Sequence, residues 1–136
     1  LLEHHQELYI EYQERLKAKG KEVKEVIAII YERLKEMLDE PFSQVENTLM
    51  GMAALYGHTI SWISRGEWMW DEKRGGCLVE KILGTKERIR PLNLLIEVWD
   101  WMRKHKNIES DILYYKYKMI LIYYYRKHPE EIEYDD

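Results

Sequence analysis

The stretch from Ser43 to Ser64, SQVENTLMGMAALYGHTISWIS, decides the fold predicted for this chain of 136 residues. Its apolar side chains recur at three- and four-residue steps, the period of an amphipathic helix. Ser43 and Glu46 have the capping-box spacing, in which each side chain accepts a hydrogen bond from the other residue's backbone N–H. Gly51 and Gly57 lie inside this helix, where each glycine costs about 1 kcal/mol relative to alanine. We therefore expect neighbouring elements to approach the helix closely at its small residues.

Helical periodicity continues on both sides of this stretch. Gly20 and Pro41 are expected to end the first two helices, and proline is tolerated in the first turn of the helix that begins near Pro91. These further helices are predicted at about 3–19, 22–39, 91–105 and 110–128.

The segment from 67 to 76 is the least regular part of the chain and carries Trp68 and Trp70 with the spacing of one strand face. It is either a loop or a hairpin that turns at Gly75 and Gly76. Residues 77–83 are predicted as a short helix.

The sequence thus indicates an all-α helical bundle of four to five main helices with an irregular Trp-bearing insertion. Residues 1–128 form its single domain, and 129–136 an acidic tail.

Composition narrows the class of protein. Charged residues make up 34% and hydrophobic residues 46%, as in a globular domain, with a net charge of −4. Cys77 is the single cysteine, which excludes an intramolecular disulfide and a cysteine-based metal site. No run approaches the roughly 18 apolar residues of a membrane span, and no signal peptide is visible. We expect an intracellular protein.

The segment 110–128 holds six of the eleven tyrosines. At about 100° per residue its apolar side chains form two faces that we expect to lie in the core. These faces are Leu113, Tyr117, Ile120 and Tyr124, and Ile112, Tyr115, Met119 and Ile122. A third strip, made of Tyr114, Leu121 and Tyr125 beside Lys118, needs a further helix or a partner to cover it.

The sequence shows no pattern for catalysis, a cofactor or a metal. None of the five histidines follows a glutamate by three positions, the arrangement of di-metal helical bundles. We interpret Glu3, His4 and His5 as a solvated terminus. Gly75, Gly76 and Gly84 lack the Gly-Lys-Ser/Thr ending of a phosphate loop. We therefore predict a non-enzymatic protein.

Two binding hypotheses remain. Aromatic anchors often dominate the energy of protein interfaces, so the first is a protein partner or self-association. Its predicted contact residues are Tyr114, Lys118, Leu121, Tyr125, Trp68, Trp70 and Trp101. The alternative is a nucleic-acid-binding module in which basic side chains follow phosphates and tryptophans stack on bases. Its residues are Arg65, Lys73, Arg74, Lys86, Arg88 and Arg90.

The richness in Tyr, Ile, Lys and Glu with a single phenylalanine, as in the run from Tyr114 to Arg126, resembles small proteins of hyperthermophilic archaeal viruses. The chain is similar in size and helical character to proteins of the two-tailed Acidianus virus, which include a virion component and an inhibitor of host RNA polymerase. The resemblance implies a thermostable structural or inhibitory binding protein, in the virion or in the host cytoplasm. It carries over no functional residue.

Overall fold

The structure is a computed structural model that describes residues 5–64, 66–71, 76–80, 88–105 and 112–127. At 64, 69–71, 76–78, 80 and 123–127 it describes the backbone only. The elements in chain order are α1 (His5–Arg15), α2 (Val23–Lys35), α3 (Phe42–Ser64), β1 (Glu67–Asp71), β2 (Gly76–Glu80), α4 (Pro91–Lys104) and α5 (Ile112–Lys127). The predicted all-α class and helical bundle are confirmed.

The long helix α3 is the centre of the bundle. It packs chiefly against α1 and α4, and also touches α2 and β2. Leu49, Met52 and Tyr56 on its predicted stripe are fully buried. The helix begins at Phe42, so Ser43 lies in its first turn rather than at the N-cap position that the capping-box pattern indicated.

Two glycines of α3 provide room for aromatic rings. A Cβ atom at Gly51 would overlap the ring of Tyr12 on α1, and one at Gly57 would overlap the ring of Trp68 on β1. The predicted close approach is therefore confirmed at both positions. The neighbour at Gly51 is α1, and the neighbours at Gly57 are β1 and Pro91 at the start of α4.

The helices α2 and α4 bury the apolar side chains that their helical periodicity places on one face. Leu95, Val98, Trp99 and Met102 of α4 are buried, and the Trp99 indole donates a hydrogen bond to the Met37 carbonyl at 3.1 Å. Tyr31 of α2 is also buried.

The first helix is shorter than predicted. It ends at Arg15, not near Lys19, because the chain then turns through two left-handed residues, Lys17 at φ 54° and Gly20 at φ 76°. Ala18 lies between them and is buried. Glycine adopts this conformation without steric cost, whereas lysine does so only when its surroundings hold it there.

The insertion contains a β-hairpin, so the hairpin alternative is confirmed and the short helix predicted at 77–83 is wrong. Strand β2 pairs antiparallel with β1, with Trp68 opposite Val79. Val79 is fully buried and also exchanges two backbone hydrogen bonds with Ile89, at 2.7 and 2.9 Å. Pairing on both sides satisfies its backbone better than an isolated helix of two turns. Of the two glycines predicted to form the turn, Gly76 is instead the first residue of β2, opposite Asp71, and Gly75 lies outside the described residues.

The fifth helix is anchored at its start by two buried tyrosines. The Tyr56 hydroxyl donates to the Leu113 carbonyl at 2.8 Å, and the Leu113 amide donates to the Tyr31 hydroxyl at 3.3 Å. Leu113 and Ile120 are buried as predicted. The second predicted core face is confirmed only in part. Ile112 packs against the core and Met119 is half-buried, but Tyr115 and Ile122 are 53% and 45% exposed and point away from the buried pair.

The fit of Tyr12 onto Gly51 gives a test of the packing. Gly51→Ala should lower the free energy of unfolding by about 1–3 kcal/mol, because the methyl group overpacks against the ring. In a Tyr12→Ala background the same change should stabilise the protein by roughly 0.5–1 kcal/mol, since the higher helix propensity of alanine then dominates. Denaturant unfolding of the four proteins measures both effects. Destabilisation of equal size in the two backgrounds would contradict the contact between the Tyr12 ring and Gly51.

Candidate functional site

A groove of about 440 Å³ opens between α1, the connection that follows it, α2 and α3. Trp62, near the end of α3, lines it although 86% of its side chain is exposed to solvent. Most of the other lining side chains are apolar or aromatic. The lining residues are Tyr9, Gln13, Ala18, Gly20, Lys21, Val23, Val26, Leu55, His58, Thr59, Trp62 and Ile63.

Tyr9 and His58 line one wall of the groove and belong to an aromatic cluster that also contains His5 and Trp68. Tyr9 stacks on His58 with ring centroids 4.4 Å apart, and His5 stacks on Trp68 at 4.5 Å. A hydrogen bond of 2.6 Å joins Nδ1 of His5 to Nε2 of His58. The missing side chain at Gly57 leaves the space that Trp68 fills. The cluster thus ties the start of α1 to both α3 and the hairpin.

The environment of this cluster favours neutral imidazoles. Burial, with a smaller contribution from the neighbouring His5, lowers the pKa of His58 to about 4, and burial also lowers the pKa of His5. Only one ring of a neutral pair needs to donate the proton of their hydrogen bond. Protonation of both rings would place two positive charges 2.6 Å apart, so low pH destabilises the contact between His5 and His58.

The polar groups of the groove already have partners within the protein. Gln13 donates to the Tyr9 hydroxyl at 2.6 Å, and the Thr59 hydroxyl donates to the Leu55 carbonyl at 2.8 Å. Across the described parts of the chain, no three histidine, cysteine or acidic side chains converge as metal ligands would. What the groove offers a ligand is apolar and aromatic surface with Lys21 at its edge.

The contact residues predicted on α5 are only partly brought together. Lys118 lies with its ammonium 4.8 Å from the centre of the Tyr114 ring, and Lys24 of α2 lies 6.0 Å from the same ring. Tyr114 and Leu121 are half-buried, and Tyr114 packs against the core. The side chain of Tyr125 lies outside the described part of the protein.

The three predicted tryptophans occupy different surroundings. Trp68 is partly buried in the histidine cluster, and its indole nitrogen is buried with no hydrogen-bond partner among the described residues. Trp101 is 37% exposed and stacks on His105 at 4.0 Å. For Trp70 only the backbone is described, in β1 opposite Cys77.

Most residues of the nucleic-acid hypothesis lie outside the described residues, namely Arg65, Lys73, Arg74 and Lys86. Arg88 is exposed and Arg90 is half-buried, on either side of buried Ile89. The ring of Trp68, which that hypothesis assigns to base stacking, is packed against His5 instead.

The sequence does not single out Trp62, Tyr9 or His58 as site residues, and it predicts a solvated terminus at His5. The last prediction is wrong, because His5 is half-buried against His58 and Trp68. A signal for Trp62 was present, since it lies about 120° from the centre of the apolar stripe on α3 at 100° per residue. The histidine pair left no such signal, because its members are 53 positions apart.

None of the helices in the described regions combines the length and apolar character needed to cross a membrane. The sequence matches no protein-family model, and comparisons with curated proteins and with solved structures give no significant match.

The histidine cluster predicts a stability that depends on pH. Folded His58 takes up its proton at a lower pH than the unfolded chain, whose histidine titrates near 6.5. The unfolded state therefore binds more protons between these values, and acidification favours unfolding. The contribution of His58 is complete above about pH 6.5 and is lost as the pH falls towards 4. We expect it to be roughly 1–2 kcal/mol, reduced by the partial exposure of the ring.

Chemical unfolding at pH 7 and pH 4.5 measures this dependence. His58→Phe keeps a ring on Tyr9 but cannot titrate, so its stability should change less with pH than that of the original protein. His105→Phe replaces an exposed histidine after α4 and serves as the matched control. An unchanged slope in His58→Phe would show that the cluster does not titrate on unfolding.

Proposed function

We propose that this chain is a non-enzymatic interaction protein that binds a protein partner in the groove beside Trp62. The observation that carries the proposal is the 86% exposure of the Trp62 side chain at the rim of an apolar groove. Exposed tryptophans beside a concave apolar surface are typical anchors of protein interfaces.

The surroundings of Trp62 support a partner with an apolar side chain. Leu55, Ile63 and Val26 form an apolar floor that a partner side chain can cover, while Trp62 itself is free to be buried from above. Covering an aromatic ring removes about 150–250 Å² of surface from water. The internal hydrogen bonds of Gln13 and Thr59 mean that a partner need not replace them.

The resemblance to proteins of hyperthermophilic archaeal viruses suggests which partner this is. The proposed function is that of a viral structural protein of the virion, or of an inhibitor that binds a host macromolecule such as RNA polymerase. Both require a stable surface for a protein partner, and the apolar lining of the groove supports this role for it.

A binding titration with purified archaeal RNA polymerase, and a second with virion proteins, tests the proposal. Replacing Trp62 by alanine should weaken binding by about 2–4 kcal/mol, the range of an interface hot spot. Phe42→Ala is the matched control, because Phe42 is an aromatic residue of the same helix, 40% exposed, at the end far from the groove. It should leave the affinity unchanged.

The same preparation separates this function from nucleic-acid binding. Titration with DNA and RNA at low and at moderate salt should show no binding that strengthens as salt falls, the behaviour that phosphate contacts produce. Salt-dependent binding that persists in Trp62→Ala would favour the module predicted from Arg65, Lys73, Arg74, Lys86, Arg88 and Arg90. Loss of protein binding in Phe42→Ala but not in Trp62→Ala would refute the groove as the contact.

A further inference from the structure

The outward face of α5 is an apolar strip that carries positive charge. Tyr115 and Ile122 are 53% and 45% exposed and lie one above the other, with exposed Lys118 between them. Positions three, four and seven apart share one side of a helix, so these three side chains form one continuous strip. It lies opposite the buried pair Leu113 and Ile120.

The charge of α5 restricts what can cover this strip. Its sequence, ILYYKYKMILIYYYRK, has four basic residues and no acidic one. Two copies of the strip placed face to face would bring lysine against lysine, which disfavours a symmetric contact. The fitting partner is therefore a helix with an exposed apolar residue among carboxylates.

The outer face of α1 has this composition. Ile10 is 53% exposed, and Glu7, Glu11 and Glu14 are exposed on the same side of the helix. Arg15 pairs with Glu11 at 3.1 Å and leaves this face with a net negative charge. An apolar residue surrounded by acids is complementary to apolar residues around a lysine.

The two faces belong to different sides of the bundle. Helix α1 packs on α3, whereas α5 lies beside α2. We propose that the strip of Tyr115, Lys118 and Ile122 in one copy binds the outer face of α1, around Ile10 and Glu14, in a second copy of this chain. The contact uses neither Trp62 nor the groove, so it is independent of the proposed function.

Such a contact joins two different surfaces, so in a pair one copy still has its α1 face free and the other its α5 strip. The association is therefore head to tail and continues from copy to copy, into a ring if the rotation closes and into a filament if it does not. Because the contact places Lys118 against the carboxylates around Ile10, the association should weaken as salt increases.

Complementation of blocked variants tests the head-to-tail arrangement. Tyr115→Glu with Ile122→Glu blocks the α5 strip, and Ile10→Ser with Glu14→Gln blocks the α1 face. In sedimentation equilibrium each variant alone should keep the 16.7 kDa mass of one chain, whereas the original protein grows in mass with concentration. An equimolar mixture should form a species of twice that mass and no larger one, because it contains one intact surface of each kind.

A charge exchange tests the pairing of residues. Lys118→Glu and Glu14→Lys should each weaken association by about tenfold, and the two changes together in one chain should restore it. Glu46→Lys, an equally exposed reversal on α3, should have no effect and controls for net charge. A monomeric original protein, no complex in the mixture, or no recovery in the exchanged variant would each overturn the proposal. Self-association retained by both blocked variants would do so too.

Discussion

The close packing at two glycines of α3, Gly51 and Gly57, is the steric constraint on which the rest of the structure depends. The ring of Tyr12 occupies the space at Gly51 and thereby fixes how closely α1 lies against α3. The ring of Trp68 occupies the space at Gly57 and fixes the hairpin on the same helix. His58 follows Gly57 directly, so the packing that holds the hairpin also brings Trp68 and His5 beside His58. The packing of the core and of one wall of the groove thus both depend on the absence of side chains at these glycines.

The sequence predicts those parts of the fold whose signals are local. The stripes on α3 and α4 are periodic over many turns, and the structure buries Leu49, Tyr56 and Leu95 as that period requires. The helix predicted at 77–83 is wrong because β2 pairs with β1 and Val79 exchanges its backbone hydrogen bonds with Ile89. Those contacts depend on distant parts of the chain, and short apolar runs are ambiguous between helix and strand.

The candidate site is predicted less well than the fold, for a related reason. The periodicity of α5 shows that it is apolar nearly all round, yet only its neighbours decide which side is covered. Contacts with Tyr31 and Tyr56 turn Leu113 inward and leave Tyr115 facing solvent. The pairing of His5 with His58 is likewise a tertiary contact. Trp62 differs, because its angle on α3 already set it apart from the buried stripe.

The exposure of Trp62 supports the proposed role in binding, because the fold gains little from this side chain. A side chain that keeps most of its surface in water gains little of the hydrophobic free energy that stabilises a core, about 25 cal/mol per Å² buried. Trp99 obtains this stabilisation together with a hydrogen bond to Met37, whereas Trp62 at 86% exposure obtains very little of it. A polar residue at position 62 would serve the fold as well and would not add apolar surface. In the proposed complex, a partner that covers Trp62 would remove this surface from water and would bind in the groove at its base.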